Sequence, residues 1–121
     1  MAIVPEFLIK RIYQKGSLKK IENGAILNLK NILGPGVISG FNYVKINEVT
    51  FVPEQVTFTT NGAEYKGTEV SEVNPVVFRL GQTGTLTMTG QDCVKEGTNT
   101  IVIEALNPEA GIVKLSAEDI A

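Results

Sequence analysis

Turn-forming residues divide this 121-residue sequence into short segments of similar length. The intervals between turns are about eight to thirteen residues, which suits strands and leaves no room for long helices. This spacing is typical of all-β sandwiches and barrels, and the lack of long helices excludes a doubly wound nucleotide-binding fold. The turn sites are Asn23-Gly24, Gly34-Pro35-Gly36, Asn47-Glu48, Asn61-Gly62, Asn74-Pro75, Gly81 to Gly84, Glu96-Gly97 and Asn107-Pro108.

Side-chain alternation indicates that the segments between the turns are strands. Within residues 56–60, Val56 and Phe58 share one face, while Thr57 and Thr59 share the other. A period of two with one polar face is typical of antiparallel sheet that covers a core on one side. The β-branched residues Val, Ile and Thr, which favour strands, make up 36 of the 121 residues. Similar alternation runs through residues 76–80, 85–89, 101–105 and 113–117.

These patterns predict one all-β domain over residues 1–121. We expect a single antiparallel β-sandwich of about eight or nine strands, immunoglobulin-like or jelly-roll-like, with at most one short helix. Two-residue hairpin turns are expected at Asn23-Gly24 and Asn61-Gly62, because both residue types tolerate the positive φ that such turns need. Residues 5–14 fit either a short helix opened by Pro5 or a strand, and both remain open.

Missing residue types exclude several kinds of chemistry. The sequence has no His and a single Cys, so it cannot assemble a Ser-His-Asp or Cys-His catalytic group, an internal disulfide or a thiolate zinc site. We interpret Cys93 as a small buried apolar residue rather than a reactive thiol beside Lys95. We therefore assign no catalytic, cofactor-binding or metal-binding residue, and we predict no cofactor.

Charge and hydropathy limit the partners and the compartment. Basic residues concentrate in residues 10–20, where Tyr13 is the one aromatic, whereas nucleic-acid surfaces usually interleave several aromatics for stacking. We interpret this segment as a lysine-rich edge strand, which discourages sheet-to-sheet association. No apolar run has the length of a signal peptide or a membrane span. With one thiol, we predict a cytoplasmic protein that binds neither nucleic acid nor membranes.

One segment is the best candidate for a ligand or contact surface. Residues 67–75 form the longest stretch that is poor in strand residues, and long loops carry function on rigid β scaffolds. Its carboxylates, with one upstream, could form an acid–base pair or a hard-cation site, although a solvated loop explains them better. Two tyrosines in predicted strands add amphipathic rings. The predicted surface consists of Tyr43, Glu64, Tyr65, Glu69 and Glu72.

The order of several segments resembles one protein family. The segments are Gly16-Ser17-Leu18-Lys19-Lys20, Asn23-Gly24 with the strand to Lys30-Asn31, Val44-Lys45-Ile46-Asn47, Val52-Pro53-Glu54-Gln55-Val56, and Glu96 to Glu104. In combination they are similar to the small β-sandwich family that includes the β subunit of sugar C-glycoside deglycosidases and short microbial proteins of unassigned role. The resemblance implies a non-catalytic subunit that packs against a TIM-barrel partner, and the barrel holds most of the metal and acid–base groups. It transfers no functional residue to this sequence.

A well-patterned core with few reactive side chains predicts an accessory subunit that acts through protein–protein contacts, in a hetero- or homo-oligomer. Exposed sheet edges could make such contacts, because their unpaired backbone groups can extend a sheet across an interface. Two alternatives stay open. One is a carbohydrate- or small-ligand-binding module that uses the predicted surface, and the other is an enzyme that relies only on carboxylates, Lys or Tyr.

Overall fold

Strands account for most of the protein. The computed structural model describes residues 6–34 and 36–121, so Pro5 and the central residue of the predicted Gly34-Pro35-Gly36 turn lie outside the described residues. None of the helices in these two ranges is long and apolar enough to span a bilayer. In chain order the elements are α1 (Glu6–Lys10), β1 (Lys19–Ile21), β2 (Gly24–Lys30), β3 (Gly36–Ile38), β4 (Gly40–Ile46), β5 (Val49–Phe51), β6 (Val56–Thr60), β7 (Ala63–Lys66), β8 (Val76–Phe78), β9 (Thr83–Thr89), β10 (Thr98–Asn107) and β11 (Gly111–Ile120), with 3₁₀ turns at Pro53–Gln55 and Gly67–Glu69.

The strands form two sheets and a two-stranded ribbon, all antiparallel. One sheet has the strand order β1-β2-β9-β6-β7 and the other has the order β11-β10-β4-β5, while β3 pairs with β8. The prediction of an all-β, antiparallel fold with one short helix is confirmed. The described part of the chain has eleven strands, more than the eight or nine expected, and four of them, β1, β3, β5 and β8, are only three residues long.

The inner faces of the two sheets pack into one apolar core. Its fully buried side chains include Leu27, Phe58 and Leu86 from the five-stranded sheet and Val44, Ile46 and Ile101 from the four-stranded sheet. The ring of Phe58 lies with its centroid 5.8 Å from that of Phe41 and 5.3 Å from that of Phe78, the latter edge-on. Gly84 makes room for this ring, because a Cβ at position 84 would lie 2.2 Å from a Phe58 ring atom.

The segment that the sequence left open between helix and strand contains a helix and then a single β-bridge. After α1, Tyr13 pairs with Leu29 of β2 in an isolated antiparallel bridge. Ile9, Tyr13 and Leu18 are buried in the core. The segment therefore extends the edge of the five-stranded sheet and also packs against β11.

The two predicted hairpins both form, one of them a residue earlier than expected. Asn61 and Gly62 have φ of 51° and 76°, as a two-residue turn of the predicted type requires. In the first hairpin Ile21 pairs with Gly24, so the turn residues are Glu22 and Asn23, and Asn23 has a φ of 59°. Gly24 instead lies in β2, where a Cβ would come 1.9 Å from the carbonyl oxygen of Met88.

Candidate functional site

A cavity of about 330 Å³ lies between the sheets, at the end of the sandwich that holds the β10–β11 turn. Apolar side chains from α1 and both sheets line it, and its volume is near the lower limit for small-molecule sites, which span about 300–1,000 Å³. We term this part of the molecule the apolar end. Its lining includes Ile9, Ile12, Phe41, Phe78, Ile103 and Leu115.

Asn31 is one of the few polar residues that line the cavity, and its side-chain amide is hydrogen-bonded to the surrounding backbone. Its Nδ2 donates hydrogen bonds to the carbonyl oxygens of Gly34 and Phe78, both at 2.6 Å. Its Oδ1 accepts a hydrogen bond from the Leu33 amide at 3.0 Å. Because both ends of the amide are occupied, Asn31 fixes the wall of the cavity and offers little to a ligand.

Asn107 has the same role in another part of the cavity wall. Its Nδ2 donates to the Val37 carbonyl oxygen at 2.9 Å, which ties β3 to the end of β10. Its Oδ1 accepts hydrogen bonds from the amides of Glu109 and Ala110, both at 2.9 Å, within the β10–β11 turn. Glu109 is the one charged side chain among the described lining residues, and it is exposed. The interior of the cavity therefore favours apolar groups over phosphates or sugars.

The apolar surface continues outside the cavity. A neighbouring hollow, lined by Val77, Leu80 and Pro108 together with the charged residues Arg79 and Glu109, shares Val37 and Asn107 with the cavity wall. Val77 is 48% exposed and Leu80 is 62% exposed, although both are large apolar residues. The apolar end thus combines an opening between the sheets with exposed apolar side chains beside it.

At the other end of the sandwich, a buried amide organises the backbone. Asn99 has no exposed surface, and its Nδ2 donates to the carbonyl oxygens of Lys95 at 2.9 Å and Gly97 at 3.0 Å. Its Oδ1 accepts from the Lys95 amide and from Asn47 Nδ2, both at 2.8 Å. Asn47 in turn donates to the Cys93 carbonyl oxygen at 2.8 Å. We term this region, together with Asp119, the polar end.

A buried carboxylate completes the polar end. Tyr13 donates its hydroxyl hydrogen bond to Asp119 Oδ2, which also accepts from the Gly16 amide at 2.7 Å. Asp119 Oδ1 accepts from the Ile120 amide at 2.8 Å. Tyr13 and Asp119 are 6% and 4% exposed, so these contacts join the segment after α1 to the last strand out of reach of water.

The two partners have opposite pKa shifts. Burial, followed by the hydrogen bond and the charge of Asp119, raises the pKa of Tyr13 far above its ordinary value. Burial also acts to raise the pKa of Asp119, but the hydrogen bonds from Tyr13, Gly16 and Ile120 outweigh it and lower that pKa. A neutral phenol and a charged carboxylate are therefore the stable pair, and neither is poised to exchange protons near neutral pH.

Asp119 is a buried ionisable residue that was not predicted from the sequence. It lies two residues after Ala117, on the same face of β11 as Leu115. A period-two pattern extended to the end of the strand places a carboxylate on the buried face, and such a carboxylate requires donors. The pattern thus contained the information needed to find it.

Cys93 is buried and belongs to the core, in agreement with its interpretation as a small apolar residue. Burial, with a contribution from the charge of Asp92, raises the pKa of its thiol. A protonated, buried thiol is a poor nucleophile.

The five residues of the predicted surface are divided among β4, β7 and the loop after β7. Tyr43 is half-buried on β4, opposite Glu104 of β10. Glu64 and Tyr65 are neighbours on β7 and so point to opposite faces of the sheet, and Tyr65 packs against the core. Their role as a ligand or contact surface stays a prediction.

The acidic loop of that surface is held by its own hydrogen bonds. Glu69 ends the 3₁₀ turn, and its Oε1 accepts from the Lys66 amide at 3.2 Å. Its carbonyl oxygen accepts from Asn74 Nδ2 at 2.8 Å, and Glu72 is exposed between them. Over residues 6–34 and 36–121, no three Cys, Asp or Glu side chains are grouped so that they could hold a metal ion.

A family comparison covers nearly the whole chain. The model of the hydroxymethylglutaryl-CoA reductase N-terminal domain matches residues 8–121. This match overturns the resemblance to the C-glycoside deglycosidase β subunit, which is wrong: it was carried by turns and alternating strands, and unrelated sandwiches share these features. The comparison with curated proteins finds no match. The chain belongs to the hydroxymethylglutaryl-CoA reductase N-terminal domain family.

Proposed function

We propose that this chain is a non-catalytic accessory domain that acts through protein–protein contacts, with the apolar end as its contact surface. The observation that carries the proposal is the exposure of Val77 and Leu80, at 48% and 62%, beside an apolar cavity. Aliphatic side chains of a partner can cover these residues and enter the opening between the sheets. Burial of such anchors supplies much of the free energy of association.

The chemistry of the buried groups favours a contact role over catalysis. Tyr13 and Asp119 hold the N-terminal segment against β11, and Cys93 packs in the core with its thiol protonated. The chain has no His, so it lacks the side chain most often used for acid–base work near neutral pH. The reactive groups of any reaction served by this domain are therefore expected on its partner.

The family description suggests which partner this is. It names an N-terminal domain of hydroxymethylglutaryl-CoA reductase. We infer that the apolar end contacts the catalytic part of such a reductase, either in one polypeptide or as a separate chain.

The test is binding between the purified chain and the catalytic part of the reductase from the same cell, measured by calorimetry. The double variant Val77→Thr/Leu80→Ser removes exposed apolar surface from the apolar end. We expect it to weaken binding at least about tenfold, because a few central apolar anchors usually carry most of the binding energy.

The matched control is Val73→Ser, which shortens an apolar residue that is 95% exposed in the Ser71–Asn74 turn. This variant should bind like the native chain. Equal losses in the control and the double variant would contradict the apolar end as the contact surface, and an absence of binding by the native chain would contradict the proposed partner.

A second candidate function rests on the cavity itself. Its volume of about 330 Å³ and its apolar lining suit a small aliphatic ligand. Carbohydrate fits less well, because a sugar needs hydrogen-bond partners, and the amides of Asn31 and Asn107 are already engaged.

Titration with an environment-sensitive apolar dye tests this candidate. Ala105 lines the cavity, so Ala105→Leu should reduce dye binding, whereas Ala63→Leu on β7, outside the cavity lining, should leave it unchanged. Equal dye binding by both variants would place the dye elsewhere and reject a ligand site in the cavity.

We also propose that the protein works in the cytoplasm. Its one cysteine is buried and unpaired, whereas small secreted domains often depend on disulfides. Cell fractionation tests this, and recovery from the culture medium would contradict it.

A further inference from the structure

The last strand lies at an edge of the four-stranded sheet. β11 runs for ten residues, from Gly111 to Ile120, and pairs with β10 on one side. α1 also contacts β11, and its residue Ile9 lines the cavity together with Leu115, so this contact lies on the inner face of the sheet. In the described ranges, no backbone hydrogen bond joins a third segment to the outer edge of β11.

The phase of the hairpin shows which backbone groups point away from β10. Gly97 and Ala121 exchange hydrogen bonds of 3.3 and 3.1 Å, so Ala121 directs its N–H and C=O toward β10. In an antiparallel pair, successive residues of a strand direct their N–H and C=O groups alternately toward the partner strand and away from it. The residues that direct their backbone groups outward are therefore Ile112, Lys114, Ser116, Glu118 and Ile120. All five side chains are also exposed, with Ile112 at 63% and Ile120 at 70%.

These five residues form a self-complementary series centred on Ser116. A second copy of β11 can lie antiparallel to the first, with the two Ser116 residues opposite each other. In this register, Lys114 of each copy lies opposite Glu118 of the other copy. The same register places Ile112 opposite Ile120 of the second copy. A shift of two residues in either direction sets Ser116 against a charged residue and loses both ion pairs, so only the centred register satisfies charge and apolar contact together.

We propose that this chain forms a symmetric dimer through β11, with Ser116 on the two-fold axis. The backbone groups of the outer edge pair across the interface and join two four-stranded sheets into one of eight strands. This goes beyond the proposed function, because the dimer uses β11 and leaves Val77 and Leu80 exposed for a different partner.

Mass measurement by light scattering over a range of concentrations tests the dimer. The native chain should approach twice its mass of 13.1 kDa. Glu118→Lys should raise the dimer dissociation constant about tenfold or more, because two attractive pairs become two repulsive ones. The double variant Lys114→Glu/Glu118→Lys should recover much of the lost affinity, since it restores opposite charges across the axis.

The matched control is Glu64→Lys, the same charge reversal on β7, the edge strand of the other sheet. Its dimer should match that of the native chain. Circular dichroism confirms that each variant is folded. A native chain that stays monomeric at all concentrations, or a double variant as weak as Glu118→Lys alone, would overturn the proposal.

Cross-linking tests the register directly. Opposite residues in a hydrogen-bonded antiparallel pair have Cα atoms about 5.5 Å apart, which is within disulfide reach. Ser116→Cys should therefore form a covalent dimer under mild oxidation, while Lys114→Cys, whose partner position is 118, should not. Native Cys93 is buried and does not compete. Equal cross-linking of both variants would reject the register, and Val77→Thr/Leu80→Ser should leave the dimer intact, which separates this test from that of the proposed function.

Discussion

The polar end and the apolar end of the sandwich use asparagine in different surroundings. At the polar end, Asn99 is fully buried and joins the loop before β10 to Asn47, in a region that also contains the buried carboxylate of Asp119. At the apolar end, Asn31 and Asn107 hold the cavity walls, while Val77 and Leu80 next to them are exposed. We infer that side-chain changes at the polar end mainly affect folding, whereas changes of exposed residues at the apolar end mainly affect binding.

The largest effect is expected at Asn99. Asn99→Ala removes four hydrogen bonds and leaves the part-buried amide and carbonyl groups of Lys95 without these partners, while the Gly97 carbonyl oxygen keeps its hydrogen bond from Ala121. We expect a loss of about 3 kcal/mol in the free energy of unfolding, measured by urea denaturation. Asn42→Ala is the control, because Asn42 is exposed and bonds only to Glu104. A similar loss in both variants would remove the distinction between buried and exposed amides.

A smaller, pH-dependent effect is expected at Asp119. Its folded pKa is lowered, so the carboxylate contributes stability above the ordinary pKa of 3.8, and that stability is lost as the pH falls through the folded pKa. At pH 7 we expect Asp119→Asn to cost about 1–2 kcal/mol, because the charged acceptor of three hydrogen bonds is replaced by a neutral one. The difference from the native chain should shrink as the pH falls through the folded pKa of Asp119.

Denaturation series at several pH values measure this difference. Tyr13→Phe serves as a comparison, since it keeps the ring but removes one donor to Asp119. It should show a reduced acid dependence, intermediate between the native chain and Asp119→Asn. A pH-independent difference between Asp119→Asn and the native chain would show that the charge of Asp119 does not stabilise the fold.

The smallest effect on stability is expected at the apolar end. Leu80→Ser changes a side chain that is 62% exposed, so the free energy of unfolding should stay within about 0.5 kcal/mol of the native value. Thermal denaturation checks this. A loss as large as that of Asn99→Ala would mean that the apolar end contributes to folding as much as the polar end does.

Local patterns were sufficient to predict the fold class. Two examples are the alternation around Val56 and Phe58 and the turn at Asn61-Gly62. Both depend on residues that are neighbours in sequence, so they can be predicted from the sequence alone. Alternation indicated a strand at residues 76–80, but the pairing of β8 with β3 was not predicted, because the two strands are far apart in sequence and β3 is also held by Asn107, which is 70 residues from Val37. Such strands depend on distant contacts rather than on local preference.

The candidate site was harder to predict for the same reason. The cavity exists because residues as far apart as Ile9, Phe41 and Leu115 meet between the sheets, and none of them differs from an ordinary core residue in the sequence. Loop carboxylates such as Glu69, by contrast, lie close together in the sequence and were therefore predicted as a site. The Tyr13–Asp119 pair spans 106 positions and is equally invisible to local patterns, although the burial of Asp119 alone was predictable.

The packing of Phe58 on Gly84 has an evolutionary consequence. The ring cannot swing aside, since it is fully buried between Phe41 and Phe78. Any lineage that gains a methyl group at position 84 must therefore shrink the aromatic at position 58 in the same step or soon after. Substitutions at these two sites are therefore expected to occur together.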